Sequence, residues 1–565
     1  MLVVRKLFNW KLLLLLIVLL AAFLRFYQLG SNPPSLTWDE AAWGYNAYSL
    51  GVNGKDEFGR FLPHDYLESF GDFKPPLYAY LDVLPVKILG LNETATRFPS
   101  AFFGTLTVLL TFFLVRRIFN TSKNRNVIGI LAALFLAISP WHIMLSRAAF
   151  EANVASFFVV LGVWAFLASV QAAELSGRRS YERWLLVVSA ISFTLTMYTF
   201  NTERIVSPLL VILLALAFWK KLWKMKKVAI ISAVVGIIIF LPTFRFLLTP
   251  QAGLRFQEVN IFSDINVVKT ANQEIANDNN AFWSKIIHNR RLLYSVDFAQ
   301  HYFDNLSPSF LFIKGDGNPK FSTQSTGQMY IWDIVFFVGG ILLLLRKKEG
   351  NWWLVPLWLL VGIIPAATAQ QTPHALRIEA TLPTFQIFTA YGFAAFLDWT
   401  KRQDLKLKIY SFNMGILLPV VLFVLLFMNF VYFYHEYFYQ YPYEYSGEWQ
   451  YGYKQSIDYV MSVQNKYDYI QMTHALGRPY IYYLFYTKTN PEVYRKTAII
   501  HRDAFGFVTI LGFGKYLFPE NYNYNLSKTK KVLYINTPYN LPKNIKIQKT
   551  FYLLDGQPAL VAYTI

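Results

Sequence analysis

The chain has 565 residues, of which 55% are hydrophobic and only 15% are charged, and its formal net charge is +19. Soluble domains carry about 25% charged residues, so the composition indicates an integral membrane protein with a modest polar part. The basic residues form short clusters between apolar runs instead of one patch, which argues against nucleic acid as a partner. The sequence contains no cysteine, which excludes disulfides, Fe–S centres and Cys-ligated zinc.

The first apolar run covers residues 12–29 and follows Arg5, Lys6 and Lys11. It is longer than the apolar core of a cleaved signal peptide and has no small-residue cleavage site. Roughly 18 residues are just enough to cross the hydrocarbon core of a bilayer. The run therefore predicts an uncleaved first transmembrane helix with the N-terminus inside.

Ten further apolar runs predict ten more spans, so that the chain crosses the membrane eleven times. They lie near 98–116, 127–144, 149–172, 184–201, 204–219, 228–248, 330–345, 352–369, 378–398 and 409–434. Basic clusters occur at every second junction. They are Arg116/Arg117/Lys123/Arg125, Arg178/Arg179/Arg183, Lys220/Lys221/Lys224/Lys226/Lys227, Arg346/Lys347/Lys348 and Lys401/Arg402/Lys406/Lys408. The positive-inside rule puts these clusters in the cytoplasm.

This topology predicts a transmembrane domain over 1–434 and an extracytoplasmic α/β domain over 435–565. Segment 30–97 is rich in Pro, Gly and aromatics, which indicates short helices in the interface plane. Segment 249–329 is a polar outer loop, too long for a simple connector. A tyrosine-rich stretch suited to the headgroup layer opens the tail. The tail pattern predicts a helix at 449–463, strands around 467–472, 506–511, 531–536 and 549–564, and a hairpin turn at Asp555-Gly556.

The stretch TWDEAAWGYNAY, from Thr37 to Tyr48, follows the outer end of the first predicted span. One carboxylate of Asp39-Glu40 could serve as a general base if burial and nearby charges set its pKa. An equally sound interpretation is a helix N-cap at Asp39 followed by an ordinary acidic first turn. Adjacent residues on a helix point in different directions, so one of the pair is expected to act and the other to support it.

The companion stretch FGDFKPPLYAY runs from Phe70 to Tyr80. Proline is favoured in the first turn of a helix, so Lys74 is expected beside a helix N-terminus. Free backbone N–H groups and an ammonium together make a phosphate site. The alternative is a lysine that extends to the interface; the nearby acids favour the phosphate site.

Further charged residues fall at three outward-facing turns, while the predicted spans are nearly free of charge. They are Arg147 with Glu151, Glu203 with Arg204, and His374 with Arg377. Each alone is typical of an interfacial anchor or a local pair. Together they indicate a pocket for an anionic headgroup, because arginine and histidine suit phosphate. His374 has no histidine partner at ligand spacing, so a metal site there is not indicated.

The order WDE…FKPPLY…RFPSAFFGTLTVLL…SPWHIMLSR resembles the membrane glycosyltransferases of the GT-C fold that use polyprenyl-phosphate sugars. The resemblance points to the GT39-like group, with the protein mannosyltransferases and aminoarabinose transferases. It is strongest over about residues 20–170, extends through 400 and is weak in the tail. It implies a multi-pass α-helical membrane protein of about eleven helices with a GT-C-like fold.

The resemblance implies roles for the charged residues of the outer segments. Asp39 would be the catalytic acid of the first loop, with Glu40 positioning it or the acceptor. Lys74 would contact the donor phosphate, helped by Arg204, His374 or Arg377.

The remaining charged positions would support this site. Glu151 matches a second acidic position of the family, and Arg147 is a supporting residue. Several relatives have an acid immediately before the lysine, where this chain has Phe73, with Asp72 one place earlier. No cofactor follows from the sequence, and a divalent metal ion is compatible with the carboxylates.

The implied reaction transfers a sugar from a polyprenyl-phosphate donor to an acceptor at the outer membrane face by an inverting single displacement. The acceptor, whether protein, lipid or glycan, is left open, and membrane lipids are the other expected partners. The alternative is a transporter or flippase for a lipid-linked sugar. Such proteins usually show inverted repeats and midplane charges, and neither is evident in this sequence. A mere membrane anchor for the tail would not need eleven spans.

Overall fold

The computed structural model describes residues 9–173, 177–402, 414–503, 508–522, 524–539 and 541–565. The helices are α1 (Trp10–Phe26), α2 (Trp38–Asn53), α3 (Leu77–Leu89), α4 (Glu93–Ile118), α5 (Arg125–Ile138), α6 (Pro140–Arg147), α7 (Glu151–Ala172), α8 (Leu185–Met197), α9 (Glu203–Ala217), α10 (Trp219–Lys224), α11 (Lys226–Leu247), α12 (Pro250–Val259), α13 (Ile265–Asn277), α14 (Phe282–Ile287), α15 (Arg290–Asp304), α16 (Asp333–Lys347), α17 (Leu354–Ala367), α18 (Thr384–Arg402), α19 (Met414–His435), α20 (Tyr441–Glu444), α21 (Tyr453–Val463), α22 (Pro479–Tyr486) and α23 (Pro491–Thr497). The strands are β1 (Leu67–Ser69), β2 (Asp72–Lys74), β3 (Tyr469–Met472), β4 (Ile499–Arg502), β5 (Val508–Phe513), β6 (Tyr516–Leu517), β7 (Val532–Asn536), β8 (Lys546–Tyr552) and β9 (Pro558–Thr564).

The chain divides into two compact units, each built from separate stretches of sequence. The helical unit comprises Met1–Leu24, Phe103–Leu145 and Ala152–Phe433. The mixed unit comprises Arg25–Phe102, Ser146–Glu151 and Tyr434–Ile565. The first outer segment therefore shares a unit with the tail, which is a different grouping from the linear domains predicted at 1–434 and 435–565.

Within the described residues, each of the eleven apolar runs overlaps at least one helix, and residues 409–413 of the last run lie outside them. Five helices are long and apolar enough to cross a membrane: Glu93–Ile118, Glu151–Ala172, Lys226–Leu247, Glu379–Thr400 and Leu418–Glu444. Helices α5 and α6 together make a sixth candidate, bent by 55° at Ser139. The other apolar helices in the described part of the chain are shorter, so the number eleven stays a prediction. Arg5, Lys6, Lys406 and Lys408 of the predicted basic clusters lie outside the described residues.

The polar segment 249–329 contains four helices, α12 to α15, where the sequence predicted only a long loop. Asp264 caps α13 by accepting from the amide of Asn266, and Asn289 caps α15 by accepting from the amide of Arg291. These side-chain caps satisfy N–H groups that the first helical turn leaves without a partner. The segment thus has helical structure of its own within the helical unit.

The tail forms a seven-stranded sheet in the order β4-β5-β6-β3-β7-β9-β8. Strand β3 pairs in parallel with β6 and β7, and the other pairings are antiparallel. The predicted turn at Asp555-Gly556 is confirmed, because it joins β8 to β9 and Gly556 has a φ of 87°. The sequence did not predict β4, β6, α22 or α23.

The mixed unit has one hydrophobic core that the first outer segment and the tail build together. Ala41, Ala42 and Tyr45 of α2 lie in the same buried cluster as Ile470 of β3 and most of α22. Two long-range hydrogen bonds tie these parts: the Tyr482 hydroxyl donates to the Leu36 carbonyl at 3.0 Å, and the Tyr45 hydroxyl donates to the Thr489 carbonyl at 3.1 Å. The tail is therefore part of the folding unit of the first outer segment.

Residues 67–74 add a hairpin to the short helices that the sequence predicted within 30–97. Helices α2 and α3 are present, but β1 and β2 form an antiparallel hairpin between them. Its two-residue loop is Phe70-Gly71, with φ of 63° and 80°. Two positive φ angles are the signature of a type I′ turn, whose twist matches the twist of paired strands. A hairpin was missed because its first turn residue is phenylalanine instead of the usual asparagine or glycine.

Glu57 is a fully buried carboxyl at the join between the first outer segment and the tail. Its oxygens accept from the Tyr494 hydroxyl and the Asn46 amide, both at 3.4 Å. Burial, together with the charge of the neighbouring Asp56, raises the pKa of Glu57 to about 8 from its ordinary value of 4.5.

Stability should depend on pH through Glu57. Between about pH 4.5 and 8 the folded protein keeps a proton that the unfolded chain releases, so the free energy of unfolding falls as pH rises. The slope is at most about 1.4 kcal/mol per pH unit and ends above the folded pKa. Glu57→Gln should lose this dependence. Thermal unfolding at pH 5 and pH 8 should show that the stability of the variant, relative to the wild type, increases as pH rises. Glu492→Gln, at an exposed glutamate, is the matched control, and its stability relative to the wild type should not change with pH.

Candidate active site

The start of α2 separates the two acids of the WDE motif. Thr37 is the N-cap: its side chain accepts from the amide of Glu40, and the Glu40 carboxylate accepts from the amide of Thr37 at 2.9 Å. This reciprocal capping box places Asp39 and Glu40 as the second and third residues of the helix. The predicted cap at Asp39 is therefore wrong, because Thr37 holds that position.

Glu40 is buried and makes an ion pair with Arg97. The Arg97 Nε donates to Glu40 Oε1 at 2.8 Å, and neither side chain is more than 1% exposed. The amide of Ala149 donates to the same carboxylate oxygen at 3.0 Å. Glu40 thus connects the start of α2 to Arg97 and to Ala149. Because these partners occupy its carboxylate, its role is structural.

Arg97 also holds the chain that leads into α2. Its guanidinium donates to the carbonyls of Leu29 at 3.1 Å, Pro33 at 2.8 Å and Ser35 at 2.5 Å. Arg147, also fully buried, donates to the carbonyl of Asn32 at 2.8 Å. From the sequence, Arg147 was predicted to be a supporting residue, and no role was predicted for Arg97. The only indication for Arg97 was its place in the RFPS motif.

Asp39 points in a different direction from Glu40 and forms an ion pair with Lys74. The Lys74 side chain is only 11% exposed, whereas that of Asp39 is 48% exposed. The ammonium also lies over the rings of Trp43 and Phe70, at 5.3 and 5.4 Å from their centroids. A buried ammonium thus contacts a carboxylate that solvent or a ligand can reach.

Lys74 is the last residue of β2, three positions before α3 begins. The expected helix after the two prolines is present, with Pro76 as its N-cap. Lys74 itself lies in the hairpin, directly opposite Leu67. Its position depends on the hairpin more than on the helix.

The tail holds this hairpin at two points. The Arg478 guanidinium lies 4.3 Å from the centroid of the Phe70 ring at the hairpin tip. Arg502, at the end of β4, contacts both carboxylate oxygens of Glu68 at 2.5 and 3.2 Å. A paired, two-point contact between arginine and carboxylate fixes orientation as well as distance. The structure therefore gives the tail a part in positioning Lys74, which the sequence did not predict.

Three carboxylates influence the pKa of Lys74. Burial lowers the pKa of Lys74, but the negative charges of Asp39, Asp72 and Glu151 outweigh burial and raise it above its ordinary value. Lys74 therefore stays an ammonium ion at neutral pH. The described residues contain no group of three or more His, Asp or Glu side chains arranged to hold a metal ion.

Arg204, His374 and Arg377 belong to the helical unit. The Arg204 guanidinium lies over the Phe246 ring at 5.5 Å, and Arg377 donates to the Gln371 carbonyl at 3.3 Å. Burial, aided by the charge of Arg377, lowers the pKa of His374 to about 3. A neutral imidazole can offer phosphate a hydrogen bond but no positive charge. The prediction that these residues meet one phosphate together with Lys74 stays a prediction.

Two sequence comparisons find relatives for part of the chain. A family model described as dolichyl-phosphate-mannose-protein mannosyltransferase matches residues 73–246. An uncharacterized protein of Aquifex aeolicus (strain VF5) is 30% identical over 184 residues. That alignment covers 32% of this chain and 34% of the relative, so the chain matches only about a third of the length of that protein.

Solved structures match over nearly the whole chain. ArnT from Cupriavidus metallidurans in the apo state has a TM-score of 0.52 at 11% identity and covers 98% of both chains. The same protein bound to undecaprenyl phosphate has a TM-score of 0.54 at 12% identity over 97% of both chains. The chain has the GT-C fold. An oligosaccharyltransferase from Archaeoglobus fulgidus, tethered with an acceptor peptide, has a TM-score of 0.52 at 13% identity over 85% of this chain and 63% of its own.

The resemblance to GT-C glycosyltransferases that use polyprenyl-phosphate donors is thereby confirmed. The chain is mostly helical, with five or six candidate membrane spans and a β-sheet region at its C-terminus.

Removal of charge should destabilise the protein much more at Glu40 than at Asp39. Glu40→Gln leaves the buried Arg97 without its counter-charge, and breaking a buried pair in this way costs about 3–5 kcal/mol. Asp39→Asn removes a half-exposed carboxylate, for which a loss of about 1 kcal/mol or less is expected. Thermal unfolding of both variants in one detergent measures the difference. Equal losses would contradict the structural role of Glu40.

Proposed function

We propose that the protein transfers a sugar from a polyprenyl-phosphate donor to an acceptor at the outer membrane face. The observation that carries the proposal is the contact between Asp39 and Lys74. It pairs a reachable carboxylate with a buried ammonium. Proton acceptance and phosphate binding are the two tasks that this transfer needs. The similarity to an ArnT structure that holds undecaprenyl phosphate supports the choice of donor.

In the proposed reaction an acceptor hydroxyl or amine attacks the anomeric carbon of the donor sugar. A new bond forms from the acceptor atom to that carbon while the bond from the carbon to the phosphate oxygen breaks. Asp39 takes the acceptor proton, and Lys74 neutralises charge that develops on the departing polyprenyl phosphate. Attack and departure on opposite faces of the carbon invert its configuration.

The contact between Asp39 and Lys74 also suggests how donor binding prepares the base. A phosphate that bonds to the Lys74 ammonium competes with Asp39 for the same positive charge. Weaker pairing leaves the Asp39 carboxylate freer to accept a proton. Glu40 in this scheme supports Asp39 by fixing the first turn of α2, and it does not touch the substrate.

The remaining charges have supporting roles in the proposal. Asp72 and Glu151 keep Lys74 protonated. Arg204 and Arg377 are proposed to bind the donor phosphate with Lys74, and His374 to contribute a hydrogen bond from its neutral ring. The acceptor is a protein, lipid or glycan of unassigned identity.

Two substitutions should separate the two tasks. Asp39→Asn keeps the shape of the side chain but cannot take the proton, so turnover should fall about 10²–10⁴-fold without any weakening of donor binding. Lys74→Ala removes a charge-assisted phosphate contact of about 1.5–3 kcal/mol, so donor affinity should fall about ten- to a hundredfold along with the rate. The measurements are donor affinity and single-turnover release of polyprenyl phosphate in nanodiscs.

Matched controls exist in the same segment. Asp65→Asn removes another carboxylate that is paired with a basic residue, Arg60, and Lys87→Ala removes an exposed lysine of α3. Both should transfer sugar at the wild-type rate. Wild-type transfer by Asp39→Asn would refute its catalytic role, and binding of the donor without release of polyprenyl phosphate would favour a flippase.

The proposed face can be tested by topology. With the N-terminus inside and eleven spans, a reporter fused after Ile565 should lie outside the cytoplasm. The same reporter inserted after Lys348, in a basic cluster between α16 and α17, should lie inside and serves as the control. A cytoplasmic signal from the fusion at Ile565 would overturn the outer location of the site.

A further inference from the structure

A cavity in the helical unit is lined by three arginines that the proposed transfer does not use. Its volume is about 440 Å³, and Arg116, Arg117 and Arg125 lie in its wall. Arg116 and Arg117 belong to the last turn of α4, and Arg125 is the first residue of α5. Glu182 is the one acidic residue in the lining, so the described wall has an excess of positive charge.

Arg117 has its hydrogen bonds within the protein. It donates to Gln171 at 3.3 Å and to Glu182 at 3.1 Å, and its own carbonyl accepts from the Gln171 amide at 2.8 Å. These bonds hold one side of the cavity in place. They also consume the negative charge of Glu182, which leaves Arg116 and Arg125 without a carboxylate partner in the described part of the chain.

The guanidinium of Arg116 packs against aromatic rings. Its guanidinium lies 5.3 Å from the centroid of the Trp10 ring and 5.4 Å from that of Phe112, and the two rings stack at 5.3 Å. Its Nε is buried and has no acceptor among the described residues. Stacking fixes the plane of a guanidinium while its N–H groups stay available to an anion.

We propose that this cavity binds the phosphate of an anionic lipid headgroup, with Arg116 as the central contact. An oxygen of the phosphate would accept from the guanidinium of Arg116, and Arg125 would add a second positive charge. A basic pocket between membrane helices is suited to a lipid headgroup, because the acyl chains can stay in the bilayer. The cluster Arg116/Arg117/Lys123/Arg125 belongs to the predicted cytoplasmic side, so the lipid is one of the inner leaflet. This site does not depend on the proposed sugar transfer.

The test is lipid retention by the purified full-length chain, measured by native mass spectrometry in a neutral detergent. The probes are phosphatidylglycerol and phosphatidylcholine with the same acyl chains, and inorganic phosphate. The wild type should retain phosphatidylglycerol in preference to phosphatidylcholine. Arg116→Gln should weaken that retention about ten- to a hundredfold, the effect of losing a charge-assisted contact.

Arg346→Gln is the matched control, because it removes the same charge from an exposed arginine in another predicted cytoplasmic cluster. It should retain phosphatidylglycerol like the wild type. Arg125→Gln, at the edge of the cavity, keeps the proposal testable if Arg116→Gln fails to fold, and it should weaken retention in the same direction.

Each outcome decides a different part of the proposal. If inorganic phosphate binds in an Arg116-dependent way and phosphatidylglycerol does not, the phosphate chemistry is supported and the lipid source is wrong. If Arg116→Gln and Arg346→Gln lower retention equally, or if neither lowers it, the cavity is not a specific anion site and the proposal is overturned.

Discussion

The buried ion pair between Glu40 and Arg97 is the interaction on which the candidate site depends. Each charge would be costly to bury alone, and the arginine further satisfies three backbone carbonyls between Leu29 and Ser35. The chain that leads from the first helix into α2 therefore wraps around one guanidinium. Because Glu40 also closes the capping box of α2, the same pair fixes the first helical turn. The direction in which Asp39 points follows from that turn.

Lys74 reaches Asp39 through a different kind of constraint. It lies at the end of a short hairpin whose tip has a phenylalanine in the left-handed region, a conformation that is uncommon for a bulky residue. The hairpin keeps this shape because Arg478 covers the ring of Phe70 and Arg502 binds Glu68. The tail thus influences the position of Lys74 by fixing the backbone of the hairpin. A displacement of about 1 Å in such a positioning element can cost a large factor in rate.

Local patterns in the sequence were sufficient for the apolar helices and for singling out Asp39 and Lys74, which the structure brings into contact. Hydropathy depends on neighbouring residues alone, and in the described part of the chain every apolar run overlaps a helix. The motifs around Asp39 and Lys74 predicted that a carboxylate and an ammonium would act together. The role of Arg97 could not be predicted, because its partners are carbonyls and a carboxylate from segments more than fifty residues away. Helix α22 was missed for a similar reason: PYIYYLFY is typical of an interface or a strand, and only its burial against α2 explains its helix.

The charges around Lys74 explain why further cations are part of the proposal. The single ammonium of Lys74 is outnumbered by the carboxylates of Asp39 and Asp72, even before the buried Glu151 is counted. A donor phosphate would add another negative charge, and the departing phosphate would carry more. Lys74 alone would then bind the phosphate against net repulsion. This repulsion is the reason why the proposed function gives Arg204 and Arg377 a part in binding the phosphate, which stays a prediction.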